Sequence, residues 1–122
     1  MCIRDSIIAS KIVRNLNYVG VMGIEFFVTK SKKILVNEMA PRVHNSGHWT
    51  QTGCIISQFE QHIRAITGTP IGDGRRHSNV LMKNILGNQI FDINYECLNC
   101  LNIYGKDKVK NNRKMGHVNI IK

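Results

Sequence analysis

The residues best suited to chemistry are two glutamates and the polar stretch that follows the second. Glu38 lies in the sequence VNEMAPRVHNSGHWTQTG (residues 36–53), which also holds an arginine, two histidines and the single tryptophan. After Pro41 this stretch is too polar, and too rich in loop-forming residues, to be a core element. A dense polar loop that follows a strand is a common place for binding and catalytic groups. We therefore take residues 36–53 as the candidate site.

Glu25 and Glu38 are predicted to face each other across a β-hairpin. A loop over residues 30–33 pairs Thr29 with Ile34 and, in the same register, pairs Glu25 with Glu38. Opposed side chains have Cβ atoms about 5 Å apart, and like charges in such positions are destabilising. Burying the two carboxylates without compensation costs still more. Something must therefore neutralise them.

Two kinds of partner could neutralise this carboxylate pair. One is a divalent cation, because Mg²⁺ prefers carboxylate oxygens and commonly shares them with substrate phosphates. The other is an ion pair with Arg42 or with a lysine. The residue pattern favours neither. Asn37 alternates with Glu38, so we expect its side chain on the opposite face of the strand, where it could hydrogen-bond a different part of a nucleotide.

The histidines and cysteines give weaker signals for a metal. His44 and His48 are four residues apart, but Gly47 argues against a helix there and no third ligand is evident. Cys97 and Cys100 form a single CxxC without a partner pair. We expect these cysteines to be buried or incidental thiols.

The excess of basic residues favours an anionic partner. Seventeen lysines and arginines against eight acidic residues give a net charge of +9, and five of the basic residues fall within 106–114. Lys106 and Arg113 flank this loop and could present cations to a phosphate. A solvated basic turn is the alternative. A nucleic-acid-binding surface ranks second to a small-molecule site, because it needs interleaved aromatics and only Tyr104 lies nearby.

Periodicity predicts the elements that position these residues. Ile8, Ile12 and Leu16 share one helical face, and residues 54–67 carry a second amphipathic stripe. The predicted elements are a helix over 7–16, strands over 19–28 and 34–39, a helix over 54–67, and strands over 79–86, 101–104 and 117–121. Residues 88–100 are left unassigned, and the first six residues fit no element. The fold class is therefore α+β, with the 19–39 hairpin covered on both of its largely apolar faces.

Composition and length set wider bounds. A chain of 122 residues suits one small domain or part of a larger one, and we expect this chain to be cut at both ends. No apolar run approaches the roughly 20 residues that span a bilayer, and no signal peptide is recognisable. Four cysteines without dense spacing indicate reduced thiols, so we expect a cytoplasmic protein.

Three segments resemble one enzyme family. NYVGVMGIEFFVT, then LVNEMAPRVHNSGHWTQTGCIISQFEQHIRAITGTPIG, and later YGK with NRKMGH resemble the carboxy-terminal part of the 5-(carboxyamino)imidazole ribonucleotide synthases, which are ATP-grasp ligases of purine synthesis. The resemblance covers roughly residues 7–121. It implies the carboxy-terminal part of an ATP-grasp domain over residues 1–70, an antiparallel sheet with packed helices. A small β-rich subdomain over 71–122 follows.

The resemblance also implies a reaction and its cofactors. The family carboxylates the exocyclic amine of 5-aminoimidazole ribonucleotide with bicarbonate, at the expense of ATP. It implies that Glu25 and Glu38 bind Mg²⁺, or Mn²⁺ in its place, and that Asn37 and Glu38 contact ATP. The implied partners are these small molecules, with neither nucleic acid nor membrane, and a homodimer for the full-length enzyme.

The remaining site residues are implied in the same way. Arg42, His44 and Asn45 match the catalytic loop that faces bicarbonate and the ribonucleotide. Lys106 and Arg113 match the cations that hold the ribonucleotide phosphate. The chain departs from the family pattern at residues 110–112, where Lys-Asn-Asn replaces the usual Arg-Pro-Gly.

Other functions remain open at this stage. The family's amino-terminal domain and its lysine-bearing ATP-grasp subdomain have no counterpart in these 122 residues, so we expect the fragment alone to be inactive. Another ATP-grasp carboxylate–amine ligase of purine synthesis, a basic nucleic-acid-binding module, and an inactive product of a truncated reading frame are the alternatives.

Overall fold

The structure is a computed structural model that describes residues 3–93 and 100–122. Eight helices and strands follow one another in these residues, with short 3₁₀ turns at Asn45–Gly47 and Gly87–Phe91. In chain order they are α1 (Ile3–Asn15), β1 (Gly23–Val28), β2 (Ile34–Ala40), α2 (Thr50–Gly53), α3 (Gln58–Ile66), β3 (Val80–Leu86), β4 (Leu101–Ile103) and β5 (Lys114–Ile121). The predicted α+β class is confirmed. Cys2, Cys97 and part of the unassigned 88–100 segment lie outside the described residues.

The first helix and strand begin at other residues than predicted. Helix α1 starts at Ile3, so the expectation that the first six residues fit no element is wrong. Asp5 lies in its first turn, where a carboxylate interacts favourably with the helix dipole. Strand β1 starts at Gly23 rather than at residue 19, because the Val21 N–H donates to His62 Nδ1 (3.0 Å) and not to a neighbouring strand.

Strands β1 and β2 form the predicted hairpin, with an irregularity beside the glutamates. Glu25 pairs with Glu38 as expected, whereas Val28, not Thr29, pairs with Ile34. The two registers differ by one residue, and the shift lies between Glu25 and Phe26. Asn37 is therefore the extra residue of a β-bulge on β2, and a bulge re-aims the side chains beside it.

Helix α3 begins four residues later than predicted. Cys54 to Ile56 are held outside the helix, because the amides of Ile55 and Ile56 donate to the carbonyls of Arg75 and Asp73 (both 3.1 Å). Ser57 then caps the helix, its hydroxyl accepting from the Glu60 N–H (3.3 Å). The apolar stripe predicted the helix but not this cap.

Strands β3, β5 and β4 form a second, antiparallel sheet in that spatial order. Strand β5 begins at Lys114, three residues before the predicted start, and this extension carries the end of the basic loop into the sheet. Its Met115, His117 and Asn119 are almost fully buried. The β5 strand therefore supplies much of the core, and two of the three buried side chains are polar.

The β1–β2 hairpin is far more exposed. Phe27, Val28, Leu35 and Val36 all remain open to solvent among the described residues. The expected cover on both faces is thus not supplied by this part of the chain. No described helix is both long and apolar enough to cross a bilayer.

Candidate functional site

The two glutamates share one side of the hairpin, as their pairing predicts, and a histidine lies between them. His44 Nδ1 is 3.7 Å from a Glu25 oxygen, and His44 Nε2 is 3.4 Å from a Glu38 oxygen. The carboxylates are 40% and 52% exposed, while the histidine side chain is only 14% exposed. Arg42 does not neutralise the pair, since its Nη1 donates to the Val43 carbonyl (2.9 Å). The open sides of both carboxylates can therefore accept a further cation.

Asn37 departs from its predicted orientation. Its amide Nδ2 donates to Glu25 Oε2 (3.3 Å), so the side chain reaches the carboxylate face and not the opposite one. The physical reason is the β-bulge, which interrupts the strict alternation on which the prediction rested. Asn37 thus orients Glu25 in addition to any contact it makes with a nucleotide.

The loop after β2 is held in place by hydrogen bonds from other elements. Gly23 makes room for His44, because a Cβ at Gly23 would lie 2.6 Å from the His44 Cβ. Asn45 and Asn84 of β3 exchange two amide hydrogen bonds (2.7 and 3.1 Å). These contacts fix the His44–Asn45 segment between the hairpin and the second sheet.

The basic loop turns two lysines, but not its arginine, towards this segment. Lys114 Nζ donates to Asn45 Oδ1 (3.0 Å), and Lys106 Nζ donates to the Lys114 carbonyl (2.5 Å). The Arg113 guanidinium instead donates to the Lys108 carbonyl of its own loop (2.8 Å). The sequence pointed to Arg113 and passed over Lys114, because nothing local indicates which of two adjacent basic side chains enters a cleft.

These groups line one cleft of about 580 Å³. Its lining residues are Glu25, Glu38, Arg42, Val43, His44, Asn45, His48, Tyr104, Lys106 and Lys114. The structure thus brings most of the predicted site residues together, while Asn37 and Arg113 do not line the cleft. The carboxylates lie beside His44, and Lys114 lies beside the adjacent Asn45. The cleft therefore combines carboxylates with ammonium groups, an arrangement suited to a ligand that carries both a metal-bound phosphate and a second anion.

Tyr104, in the back wall of the cleft, is hydrogen-bonded to a chain of two polar side chains that the sequence did not indicate, His117 and then Gln51. Tyr104 O–H bonds His117 Nδ1 (2.8 Å), and His117 Nε2 bonds Gln51 Oε1 (3.1 Å). Burial lowers the pKa of His117 and raises that of Tyr104. Both groups are therefore neutral near pH 7, and Tyr104 brings an uncharged hydroxyl to the cleft.

His48 completes this wall as an uncharged ring. It stacks on Phe59 (5.2 Å between centroids) and lies 4.7 Å from His117. Burial, and after it the nearby His117, His44 and Lys114, together lower its pKa to about 4. The Gln58 amide bonds its Nδ1 (2.8 Å). No local sequence signal links these residues, because they come from separate elements.

Metal binding rests on the donor chemistry of the glutamate pair. Among residues 3–93 and 100–122, no group of three or more His, Cys, Asp or Glu could hold a metal ion by itself. Two carboxylates on one face are nevertheless the protein share of a typical Mg²⁺ site, in which water and substrate phosphate complete the octahedron. The residues present therefore fit Mg²⁺ or Mn²⁺ shared with a phosphate better than a protein-only site.

Comparisons with known proteins assign this arrangement to a family. A family model of the ATP-grasp domain matches residues 4–59, and one of the phosphoribosylaminoimidazole carboxylase C-terminal domain matches residues 80–122. An N5-carboxyaminoimidazole ribonucleotide synthase from Brucella melitensis biotype 1 is 50% identical over 119 residues, which cover 93% of this chain. The chain is a homologue of the carboxy-terminal part of the N5-carboxyaminoimidazole ribonucleotide synthases. It spans 32% of that relative's length.

Solved structures of the family have the same fold. The phosphoribosylaminoimidazole carboxylase ATPase subunit from Aquifex aeolicus aligns with a TM-score of 0.88 at 41% identity, covering 100% of this chain and 39% of that one. A synthase from Aspergillus clavatus, in complex with ADP and 5-aminoimidazole ribonucleotide, aligns with a TM-score of 0.73 at 35% identity over 84% of this chain and 30% of its own. Both matched regions of the chain contribute to the cleft: the glutamates lie in the first region and the lysines in the second.

Proposed function

We propose that this chain supplies the metal-binding and substrate-binding part of an ATP-dependent carboxylase that converts 5-aminoimidazole ribonucleotide and bicarbonate to the 5-(carboxyamino) product, ADP and phosphate. The observation that supports this best is the single cleft that is lined both by Glu25 and Glu38 and by Lys106 and Lys114. Such a cleft suits two anionic substrates that must react with each other. In this proposal the activity belongs to a cytoplasmic enzyme of purine synthesis that is a homodimer at full length.

Glu25 and Glu38 would hold Mg²⁺ together with phosphate oxygens of ATP. When bound, the cation neutralises charge on the transferring phosphoryl group and aligns it for attack. Asn37 would keep Glu25 turned towards the cation, through the hydrogen bond already present (3.3 Å), and would contact ATP beside Glu38. Bicarbonate attack on the γ-phosphate would give carboxyphosphate, whose carboxyl group then passes to the amine, directly or as released CO₂.

Arg42, His44 and Asn45 would face the reacting carboxyl group. All three line the same cleft as the glutamates and the lysines, and Asn45 is held by hydrogen bonds to Asn84 and Lys114. A preorganised set of donors stabilises developing negative charge without the cost of reorientation. Their proposed role is therefore electrostatic and positional.

Lys106 and Lys114 would hold the ribonucleotide phosphate. Both ammonium groups are anchored by a protein oxygen, so little freedom is lost when an anion binds. Arg113 would join them only if its guanidinium left the Lys108 carbonyl. The proposal therefore assigns the phosphate first to the two lysines, with Arg113 as the family match.

A nucleic-acid-binding role is less well supported. Such a surface needs a continuous basic face with stacking aromatics. Here the basic residues of the cleft share it with two carboxylates, which would repel a phosphate backbone that carries no metal ion. Among ATP-grasp ligases, the loop HNSGHWT at residues 44–50 favours the aminoimidazole ribonucleotide substrate over other acceptor amines.

A chimera would test the proposal directly. The matching segment of the Brucella relative is replaced by this chain, and ADP release is measured with and without aminoimidazole ribonucleotide and bicarbonate. We expect ADP release that depends on both substrates and on Mg²⁺. A folded chimera that binds ATP but shows no dependence on the ribonucleotide would contradict the proposal. The unaltered relative serves as the positive control.

A further inference from the structure

His48 is held by one side chain that also clasps the candidate catalytic loop. The His44 N–H donates to Gln58 Oε1 (3.0 Å), and Gln58 Nε2 donates to the His44 carbonyl (2.8 Å). The same Nε2 lies 2.8 Å from His48 Nδ1. The clasp is close: a Cβ at Gly47 would lie 2.5 Å from Gln58 Oε1.

These contacts fix the tautomer of His48. A backbone N–H can only donate and a carbonyl can only accept, so His44 determines which end of the Gln58 amide is oxygen. The atom beside His48 Nδ1 is therefore the NH₂ group, and its second hydrogen points to that nitrogen. Nδ1 must be the unprotonated acceptor, and the proton of the neutral ring must be on Nε2.

The Nε2–H is directed to the cleft. Within the described residues, His48 Nε2 has no hydrogen-bond partner. It is also not one of the buried polar atoms that lack a partner, so it is accessible from the cleft. His48 itself lines the cleft beside Lys114 and Tyr104. Phe59 and His117 stack on or tilt against the ring, so it has little freedom to turn.

We propose that Gln58 is a positioning residue that fixes His48 as an uncharged donor, whose Nε2–H binds an anionic oxygen in the cleft. The titratable groups facing His48 are His44 from its own loop and His117 and Lys114 from β5, with Tyr104 just after β4. A neutral donor adds directional binding without adding charge beside the lysines. Only the identity of the anion depends on the proposed function; the arrangement of His48 does not.

The test measures the protonation of each imidazole nitrogen. In the ¹⁵N-labelled 122-residue chain, long-range proton–nitrogen correlation spectra assign His48 through a His48→Gln variant. We expect a proton on Nε2, a bare Nδ1, and this pattern unchanged from pH 8 down to about pH 5, since its pKa is about 4. A proton on Nδ1 in this range would overturn the proposal without any variant.

Gln58→Glu tests the positioning role. A carboxylate cannot donate to Nδ1 and instead favours a proton there, so the His48 titration midpoint should rise by about one pH unit or more. Gln61→Glu is the matched control, because Gln61 on the same helix clasps Gly72 through the same two kinds of hydrogen bond (2.6 and 3.2 Å). An equal rise in both variants would mean that any new carboxylate on α3 suffices, and the positioning role would be wrong.

Inorganic phosphate serves as the anion probe. Its addition should move the His48 Nε2–H signal in a saturable manner, while the exposed His77 outside the cleft should not respond in this way. If His48 does not respond while Lys106 and Lys114 signals do, the donor role is wrong and the phosphate site stands. Chimera activity reports on the proposed function separately, so the two can fail independently.

Discussion

At the scale of single residues, Glu38 is the group whose charge should matter most. It faces Glu25 across the hairpin, and both carboxylates keep an open side for a cation. In the chimera, Glu38→Gln should lower ATP-dependent turnover by about two orders of magnitude or more, because one ligand charge on the phosphate-bridging cation is lost. Steady-state turnover at saturating ATP measures this.

The matched control is Glu60→Gln. Glu60 lies on α3, outside the cleft, and its carboxylate pairs with Arg64 (2.7 Å). A surface pair of this kind contributes little to stability, so turnover should stay near that of the parent. If the two variants lose activity equally, Glu38 is not a metal ligand.

His48 should make stability depend on pH. Its pKa is about 4 in the folded chain and 6.5 for an unperturbed histidine, so between these values the unfolded chain binds the extra proton. The stabilisation is complete above pH 6.5 and is lost as the pH falls towards 4. The lowered pKa of His117 acts in the same direction.

We therefore expect the urea midpoint to fall from pH 6.5 to pH 4, and to fall less steeply in His48→Gln. The exposed His77→Gln should keep the parent's slope. Equal slopes in the parent and both variants would show that His48 does not contribute to the acid sensitivity.

At the scale of elements, sequence patterns predicted most strands and helices but not their irregularities. The predicted pairing of Glu25 with Glu38 is confirmed, but the strands leave the turn one residue out of the predicted register and the bulge at Asn37 restores the pairing. The bulge at Asn37 adds one residue, and no local pattern distinguishes it from regular strand. The start of α3 was missed for a similar reason, because the Arg75 and Asp73 carbonyls that hold residues 55–56 come from a later loop.

The residues of the candidate site likewise divide into those that a local sequence pattern indicates and those that it does not. Residues within one loop, such as His44 and Asn45, could be selected from the sequence because they are adjacent. Gln58, Tyr104 and His117 could not, because packing between separate elements brings them together. Long-range contacts of this kind leave no periodic signal.

Gly116 tests how closely β4 and β5 must approach. A Cβ there would collide with the Asn102 carbonyl oxygen, which belongs to the sheet backbone and cannot turn away. Gly116→Ala should lower the free energy of unfolding by about 1–3 kcal/mol, measured by urea denaturation. Gly74→Ala, whose added Cβ would be 3.5 Å from the Gln61 amide, should change it by no more than about 0.5 kcal/mol.

At the scale of the whole molecule, the hairpin leaves an apolar surface open. Phe27, Val28, Leu35 and Val36 are exposed on strands that otherwise have the composition of a core. Surfaces of this kind usually pack against another element or chain. The chain spans about a third of the curated relatives it matches, so we expect the remaining two thirds of such a protein to supply that cover.

The cleft itself depends on both parts of the chain, and its basic end should therefore affect one substrate more than the other. Lys106 and Lys114 reach it from the second part, whereas the glutamates belong to the first. In the chimera, the double change Lys106→Ala and Lys114→Ala should raise the KM for the ribonucleotide at least about tenfold, because hydrogen bonds to charged groups contribute about 1.5–3 kcal/mol each. The KM for ATP should change little.

The double change Lys108→Ala and Lys110→Ala separates a local contact from general charge. Like the first double change, it removes two positive charges from the basic segment 106–114. Both of these lysine side chains, however, are exposed and neither lines the cleft. Long-range attraction falls off within about 8–10 Å at physiological salt, so this pair should alter the KM for the ribonucleotide by less than about threefold. If the two double variants raise it equally, the loop attracts anions in general, and the assignment of the phosphate to Lys106 and Lys114 is wrong.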